Sequence, residues 1–333
     1  MSQVRRIGVL GAGAWGTTLA VLGQRAGREV VLWARRSLQA ATLFARRENL
    51  LHLPGVSLDP AIRITNSIEA ALEADAVLVA LPAQHMREHL AALSWPTSIA
   101  AVICAKGIER DTLKSMPEVM AEIHPGVPLA MLSGPNFAGE VARGLPGAAV
   151  IAGTDAALVE QLAAALATAQ FRPYASDDLI GVALGGAAKN VLAIGCGIVV
   201  GRGLGENARA ALLTRGLAEL GRLIAAAGGK RETAMGLSGA GDLILTATSR
   251  QSRNTSLGEA LGQGRLLAEI LAERQSVAEG VESAAAVVAL ARRHGVEMPI
   301  CQSVATILAG GEIDVELRRL LARPLKRELE TGD

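Results

Sequence analysis

Aromatic side chains are scarce in this chain: three Trp, one Tyr and three Phe in 333 residues. A surface that grips single-stranded nucleic acid by stacking is therefore not expected. An excess of either charge is missing too. Lys and Arg number 33 against 32 Asp and Glu, for a net charge of +1. That balance argues against nucleic-acid binding by bulk electrostatics, and leaves room only for a small, local anion site. Cysteine is confined to Cys104, Cys196 and Cys301. Three thiols far apart form neither a disulfide framework nor a CxxC metal pattern, so we expect buried free thiols in a reducing, cytoplasmic compartment. No apolar run reaches the ~20 residues that cross a bilayer. Val182–Val200 comes nearest, with Lys189 and Asn190 in its middle. The first residues lack the long apolar stretch and cleavage site of a secretory signal.

What is present reads as a folded protein of about two domains: 50% hydrophobic and 20% charged residues, at roughly 150 residues per domain. Apolar, β-branched runs at Ile7–Leu10, Val30–Trp33, Ala76–Leu81, Ile99–Cys104, Leu129–Leu132 and Ala148–Ala152 read as buried strands. Helix-forming stretches at Thr17–Arg25, Ser37–Glu48, Gln84–Leu93, Thr112–Glu122 and Ala156–Ala167 alternate with them. Such alternation predicts a doubly wound parallel sheet. Near Asp177 the texture changes to helical spacing: Leu179–Val200, Ala208–Ala227, Thr255–Leu261, Val281–His294 and Pro299–Ala309. The expected architecture is an α/β Rossmann-like domain over 1–177 and an all-α domain over 178–333, closely packed around a cleft.

Gly11, Gly13 and Gly16 form GxGxxG directly after the first strand and at the start of a helix. In that context the pattern predicts a dinucleotide: Gly11 permits the tight turn, Gly13 the approach of a pyrophosphate, Gly16 the packing of helix on strand. The second strand ends in Trp33-Ala34-Arg35-Arg36, without the carboxylate that binds ribose hydroxyls in NAD sites. Two guanidinium groups suit a 2′-phosphate, so NADP(H) is the preferred cofactor and NAD(H) the alternative.

Several polar residues stand where chemistry is expected. Lys106 follows the Ile99–Cys104 strand, at the sheet edge where open α/β folds bind ligands, and could neutralise an anion. Gly134, Pro135 and Asn136 make a stiff turn whose donors could meet substrate oxygens. Lys189 lies inside the most apolar helix, where burial costs several kcal/mol unless the ammonium is paired or its pKa falls. With Gly185, Gly186 and Ala193 on its face, it could exchange a proton with a substrate oxygen. Asp242, after a second glycine-rich turn, could hold Lys189. The run Thr248–Asn254 offers hydroxyl, guanidinium and amide donors for a phosphate. Two patterns are set aside. His85-Met86-Arg87-Glu88-His89 matches HxxEH, but no third metal ligand is evident nearby, and no metal is expected. Gly228-Gly229-Lys230-Arg231 only resembles the end of a P-loop, since the first glycine and the final Ser/Thr are missing.

Taken in order, the blocks GxGxWGTxLA at Gly11–Ala20, KGIE at Lys106–Glu109, LSGPxFAxEVA at Leu132–Ala142, AKNVxAI at Ala188–Ile194, TRGLAE at Thr214–Glu219, the long block Gly236–Asn254 and EGVES at Glu279–Ser283 resemble the bacterial NAD(P)-dependent glycerol-3-phosphate dehydrogenase family. The resemblance implies reduction of dihydroxyacetone phosphate to sn-glycerol 3-phosphate, supply of that product to phospholipid synthesis, and a homodimer. It implies Lys189 as catalytic acid/base with Asp242 orienting it. Lys106, Gly134, Asn136, Asp242, Ser252, Arg253 and Asn254 would contact substrate. The cofactor would be lined by the three glycines, Ala14, Trp15, Arg35, Arg36, Lys106, Ala138, Arg253, Val277 and Glu279. Ala105 and Asn136 stand where hydroxyl residues are expected. Two other readings are carried: a β-hydroxyacid or 6-phosphogluconate type dehydrogenase, and a non-catalytic dinucleotide sensor.

Overall fold

A computed structural model describes residues 4–274 and 278–325. Ten strands are found: β1 Arg6–Leu10, β2 Glu29–Trp33, β3 Glu48–Asn49, β4 Leu53–Ser57, β5 Arg63–Thr65, β6 Ala76–Val79, β7 Ala100–Ile103, β8 Leu129–Ser133, β9 Gly147–Gly153 and β10 Phe171–Ser176. Eight form one sheet in the order β10-β9-β8-β7-β6-β1-β2-β5, and β3 pairs with β4 in a separate antiparallel hairpin. The central strands β6 and β7 are apolar along their length because both faces are covered. In β6, Leu78 joins the core under one face, with Val9, Leu19 and Leu32. Val77 and Val79 join the core under the other face, with Leu10, Val31 and Ile103. Alternation by two thus divides one apolar run between two cores.

The parallel expectation holds with one exception: β8 and β9 are antiparallel, and β10 follows β9. This reversal returns the chain from the carboxyl end of β8 straight onto β9, beside the turn at Gly134. Two sheet strands escape the sequence pattern. Both β5 and β10 are edges with mixed burial, and β10 contains Pro173, so neither carries an apolar run. The helix expected at Thr112–Glu122 starts later, at Met116, because Ser115 and Glu118 form a capping box and Pro117 belongs in a first turn. That expected at Gln84–Leu93 is a 3₁₀ turn, Ala83–His85, followed by Met86–Leu90.

Beyond β10 the described chain is helical. Asp178 caps Leu179–Gly201, its Oδ1 accepting from Gly181 N at 2.8 Å and Oδ2 from Lys230 N and Thr233 Oγ1. This helix is long and apolar enough to cross a membrane, yet its apolar window is wholly buried in the protein. Around it pack Gly205–Ala226, Asp242–Thr248, Arg253–Gly262, Glu279–Arg293 and Pro299–Leu308. Helices at Asp242–Thr248, Leu267–Ala272 and Ile313–Leu321 are additional to those the spacing predicts. The closest crossing is with Arg253–Gly262: a Cβ on Gly197 would collide with the Thr255 carbonyl, and one on Gly258 with that of Ile194. Glycine on both sides brings the two backbones into contact. All three cysteines are buried and free, and burial pushes the Cys196 thiol up to about 12.

Gly258→Val should force this crossing apart. We expect a loss of about 2 kcal/mol or more, read as a lower urea midpoint. An unchanged midpoint would show that the crossing tolerates a side chain.

Candidate active site

The carboxyl ends of β1, β6, β7 and β8 point to one edge of the sheet. The glycine turn follows β1. Lys106 follows β7, two strands away, or roughly 10 Å along the edge; Gly134 follows β8. Gly11 has φ +111°, and a Cβ there would press on the Ala80 carbonyl. At Gly16 a Cβ would collide with the carbonyl of Gly11, whereas at Gly13 it would meet nothing within 4 Å. The turn is thus packed from behind and open in front at Gly13. The helix it starts, Ala14–Arg25, has no side-chain cap and no acidic residue in its first turn, so its terminal N–H groups remain available to an anion. Behind it, buried Asn49 donates Nδ2 to Ala12 O at 3.0 Å and to Thr17 Oγ1 at 2.7 Å. Nothing in the sequence pattern singles out Asn49. Trp15 packs half-buried on the core, and the Ala138 carbonyl accepts from Thr18 Oγ1. Arg35 and Arg36 are exposed beyond β2.

Asp242, 2% exposed, is where the two halves meet. Its Oδ1 accepts from Lys189 Nζ at 2.8 Å, and its Oδ2 from Lys106 Nζ at 2.6 Å. Lys106 also donates to the Gly134 carbonyl at 3.2 Å. Lys189 donates to Thr246 Oγ1 at 2.8 Å; Thr246 stands one helical turn beyond Asp242, a placement that i,i+4 spacing from Asp242 could have suggested. Burial lowers the pKa of the Lys189 ammonium from the ordinary lysine value of 10.5; Asp242 opposes the shift and Lys106 adds to it. For Asp242, burial pulls upward, but Lys106 and Lys189 outweigh it and hold the carboxyl below its usual range.

Glycine lets the helix of Lys189 pack closely beside this cluster. A Cβ on Gly186 would stand 3.0 Å from Ser133 Oγ and 3.2 Å from Lys106 Cγ; one on Gly185 would stand 3.2 Å from Ser238 Oγ. Ser133 Oγ, Ser238 Oγ and Asn136 Oδ1 are buried without hydrogen-bond partners, each at a cost of about 1–3 kcal/mol unless a ligand supplies one. Asn136 donates Nδ2 to Ala148 O at 2.8 Å, a bond that the β8–β9 reversal makes available. A cavity of about 400 Å³, lined by Ala148, Val150, Val182 and Ser238 among others, shares Ser238 with this surround but is lined by none of Lys106, Lys189 and Asp242.

The remaining expected site residues are tied in by amides. Asn190, next to Lys189, donates to Glu279 Oε2 at 3.1 Å and accepts from Asn254 Nδ2 at 2.8 Å. Asn254 Oδ1 accepts from Gly280 N at 3.1 Å. Ser252 caps the helix that Arg253 begins, accepting from Thr255 N, and the Arg253 carbonyl accepts from Arg274 Nη1. Asn254 therefore also braces Asn190, a use that a loop of phosphate donors does not suggest. Val277 lies outside the described residues. The two patterns set aside are engaged elsewhere: His85 pairs with Glu88, His89 meets Arg35, and Lys230 pairs with Asp177.

Comparison with known proteins finds relatives along nearly the whole chain. Two family models match, NAD-dependent glycerol-3-phosphate dehydrogenase N-terminus over residues 6–159 and C-terminus over residues 178–316. A curated glycerol-3-phosphate dehydrogenase [NAD(P)+] of Rhodospirillum rubrum is 55% identical over 333 residues, 98% of this chain and 95% of the relative. Its counterpart in Parvibaculum lavamentivorans is 54% identical, covering 97% and 98%. A solved glycerol-3-phosphate dehydrogenase from Coxiella burnetii superposes with a TM-score of 0.91 at 37% identity, over 96% of this chain and 99% of that one.

Asp242→Asn keeps the shape but leaves two ammonium groups facing each other without a counter-charge. A loss of about 3–5 kcal/mol in unfolding free energy is expected, partly recovered by adding Lys106→Met. Equal stability of Asp242→Asn and the parent in denaturant titration would show that the carboxylate does not hold the cluster together.

Proposed function

The chain belongs to the NAD-dependent glycerol-3-phosphate dehydrogenase family, and from that premise we propose that it reduces dihydroxyacetone phosphate to sn-glycerol 3-phosphate, with NADP(H) preferred over NAD(H). The observation that carries the reading is the buried Lys189 ammonium, held by a carboxylate and a hydroxyl. The dinucleotide suits the open face of the glycine turn, where Gly13 and the uncapped helix start would receive the pyrophosphate. Arg35 and Arg36 would receive the 2′-phosphate.

When bound, the nicotinamide supplies the hydride that reaches the carbonyl carbon. The chain's own residues supply position and the proton. Lys189 Nζ carries three protons, of which Asp242 and Thr246 engage two. The third is left for the substrate oxygen as negative charge gathers there. That oxygen becomes a hydroxyl and the lysine a neutral amine, which solvent reprotonates. The lowered pKa of Lys189 makes the ammonium a stronger acid for reduction, and leaves a larger fraction of free amine to accept the proton in the reverse direction. Lys106 and the donors Ser252, Arg253 and Asn254 would hold the substrate, whose phosphate anchors it away from the reacting carbon.

In the same reading the chain acts in the cytoplasm as a homodimer and supplies glycerol 3-phosphate for phospholipid synthesis. A sensor that only reads a dinucleotide needs neither the buried ammonium nor its two partners, and an unphosphorylated hydroxyacid does not call for the donor-rich segment Thr248–Asn254.

Lys189→Ala should lower kcat for dihydroxyacetone phosphate by roughly 10²–10⁴ with cofactor binding intact, followed by NADPH absorbance; near-normal turnover would remove Lys189 from the mechanism. The protonated lysine is the acid for reduction. The reductive rate should therefore fall as pH rises through the Lys189 pKa, at a pH below 10.5, with the opposite trend for oxidation. Titration with both reduced cofactors should give tighter binding of NADPH, and equal or tighter binding of NADH would overturn the preference.

A further inference from the structure

The helix Met86–Leu90 follows β6 on one side of β1, while Arg35 follows β2 on the other. Across that interval Arg35 Nη1 lies 2.9 Å from His89 Nε2. A guanidinium only donates, so Nε2 is the acceptor and the ring is neutral with its proton on Nδ1. No other hydrogen bond or ion pair holds Arg35 among the described residues. Its Nη1 is engaged by the imidazole, and the side-on fork of Nε and Nη2 stays free. The same fork holds a carboxylate elsewhere in this molecule: Arg87 donates Nε and Nη2 to the two oxygens of Glu109, both at 2.9 Å.

We propose that His89 is a positioning residue for the cofactor. By accepting from Nη1 it holds the Arg35 guanidinium with its two-donor edge presented to a 2′-phosphate, and so sets the discrimination between phosphorylated and unphosphorylated dinucleotides. The inference rests on the reading of Arg35 as a 2′-phosphate ligand. An arginine on an exposed loop otherwise spends its rotamer freedom on each binding event, and a fixed fork spends less. The neighbours of the ring agree with an acceptor role. Burial first, and then Arg35, lower the imidazole pKa, with His85 acting in the same sense and Glu88 opposing. Of the HxxEH pattern, then, the second histidine serves the adjacent arginine.

The test uses the full chain and measures Kd for NADPH and NADH separately by nicotinamide fluorescence, with kcat at saturating cofactor. His89→Leu should raise Kd for NADPH about threefold to tenfold, change Kd for NADH less than about twofold, and leave kcat in place. His89→Gln, whose Oε1 can accept in place of Nε2, should bind NADPH nearly as the parent does. Arg35→Ala should weaken NADPH at least as much as His89→Leu. If His89→Leu leaves NADPH binding unchanged, weakens both cofactors alike, or is matched by His89→Gln, the positioning role is overturned while Arg35→Ala still reports on the phosphate site. If Arg35→Ala itself leaves NADPH binding intact, the 2′-phosphate reading fails and this inference with it.

Discussion

One carboxylate between two ammonium groups governs the rest of this structure. Asp242 neutralises only one of the two positive charges it touches, and the Glu279 carboxylate, bound to Asn190, also acts on Lys189. Buried charge of that kind is costly unless something balances it. In the proposed reading, an anionic substrate bound here would offset part of that cost. The same contacts explain the directions of the proton affinities: the carboxyl is held low by two cations, and Lys189 is pushed low by burial and by its like-charged neighbour. Thr246, a neutral acceptor, supports the lysine without adding charge.

The scaffold that delivers these groups depends on small residues where it must be tight. Gly197 and Gly258 let two helices touch by backbone, which seats Ser252 and Asn254 close to the helix that carries Lys189. Asn190 then links Asn254 to Glu279 through side-chain amides. Residues expected to serve the substrate and one expected to serve the cofactor are thus joined through the neighbour of the lysine.

Much of this was legible in the sequence, for physical reasons that differ by element. Doubly covered strands such as β1, β2 and β6 advertise themselves as apolar runs, and the glycine turn by its spacing after one of them. Lys189 was conspicuous because an ammonium inside so apolar a helix needs a reason. The edge strands β5 and β10 were not legible, since exposed edges carry no apolar signature. The β8–β9 reversal was hidden as well: antiparallel and parallel core strands look alike when both faces are buried, and the short helix Ala138–Ala142 between them resembles a crossover. The attachment of Lys106 to Asp242 joins residues from the two halves of the chain, a contact that local pattern does not encode. Asn49 and Thr246 are single polar residues whose meaning comes only from what folds against them.

The two lysines reach Asp242 from different bodies, Lys106 from the end of a sheet strand and Lys189 from the helical half. Asp242 is thus shared between the two halves of the chain, and the Lys106 charge that it draws in from the sheet lowers the proton affinity of Lys189 across the boundary between them.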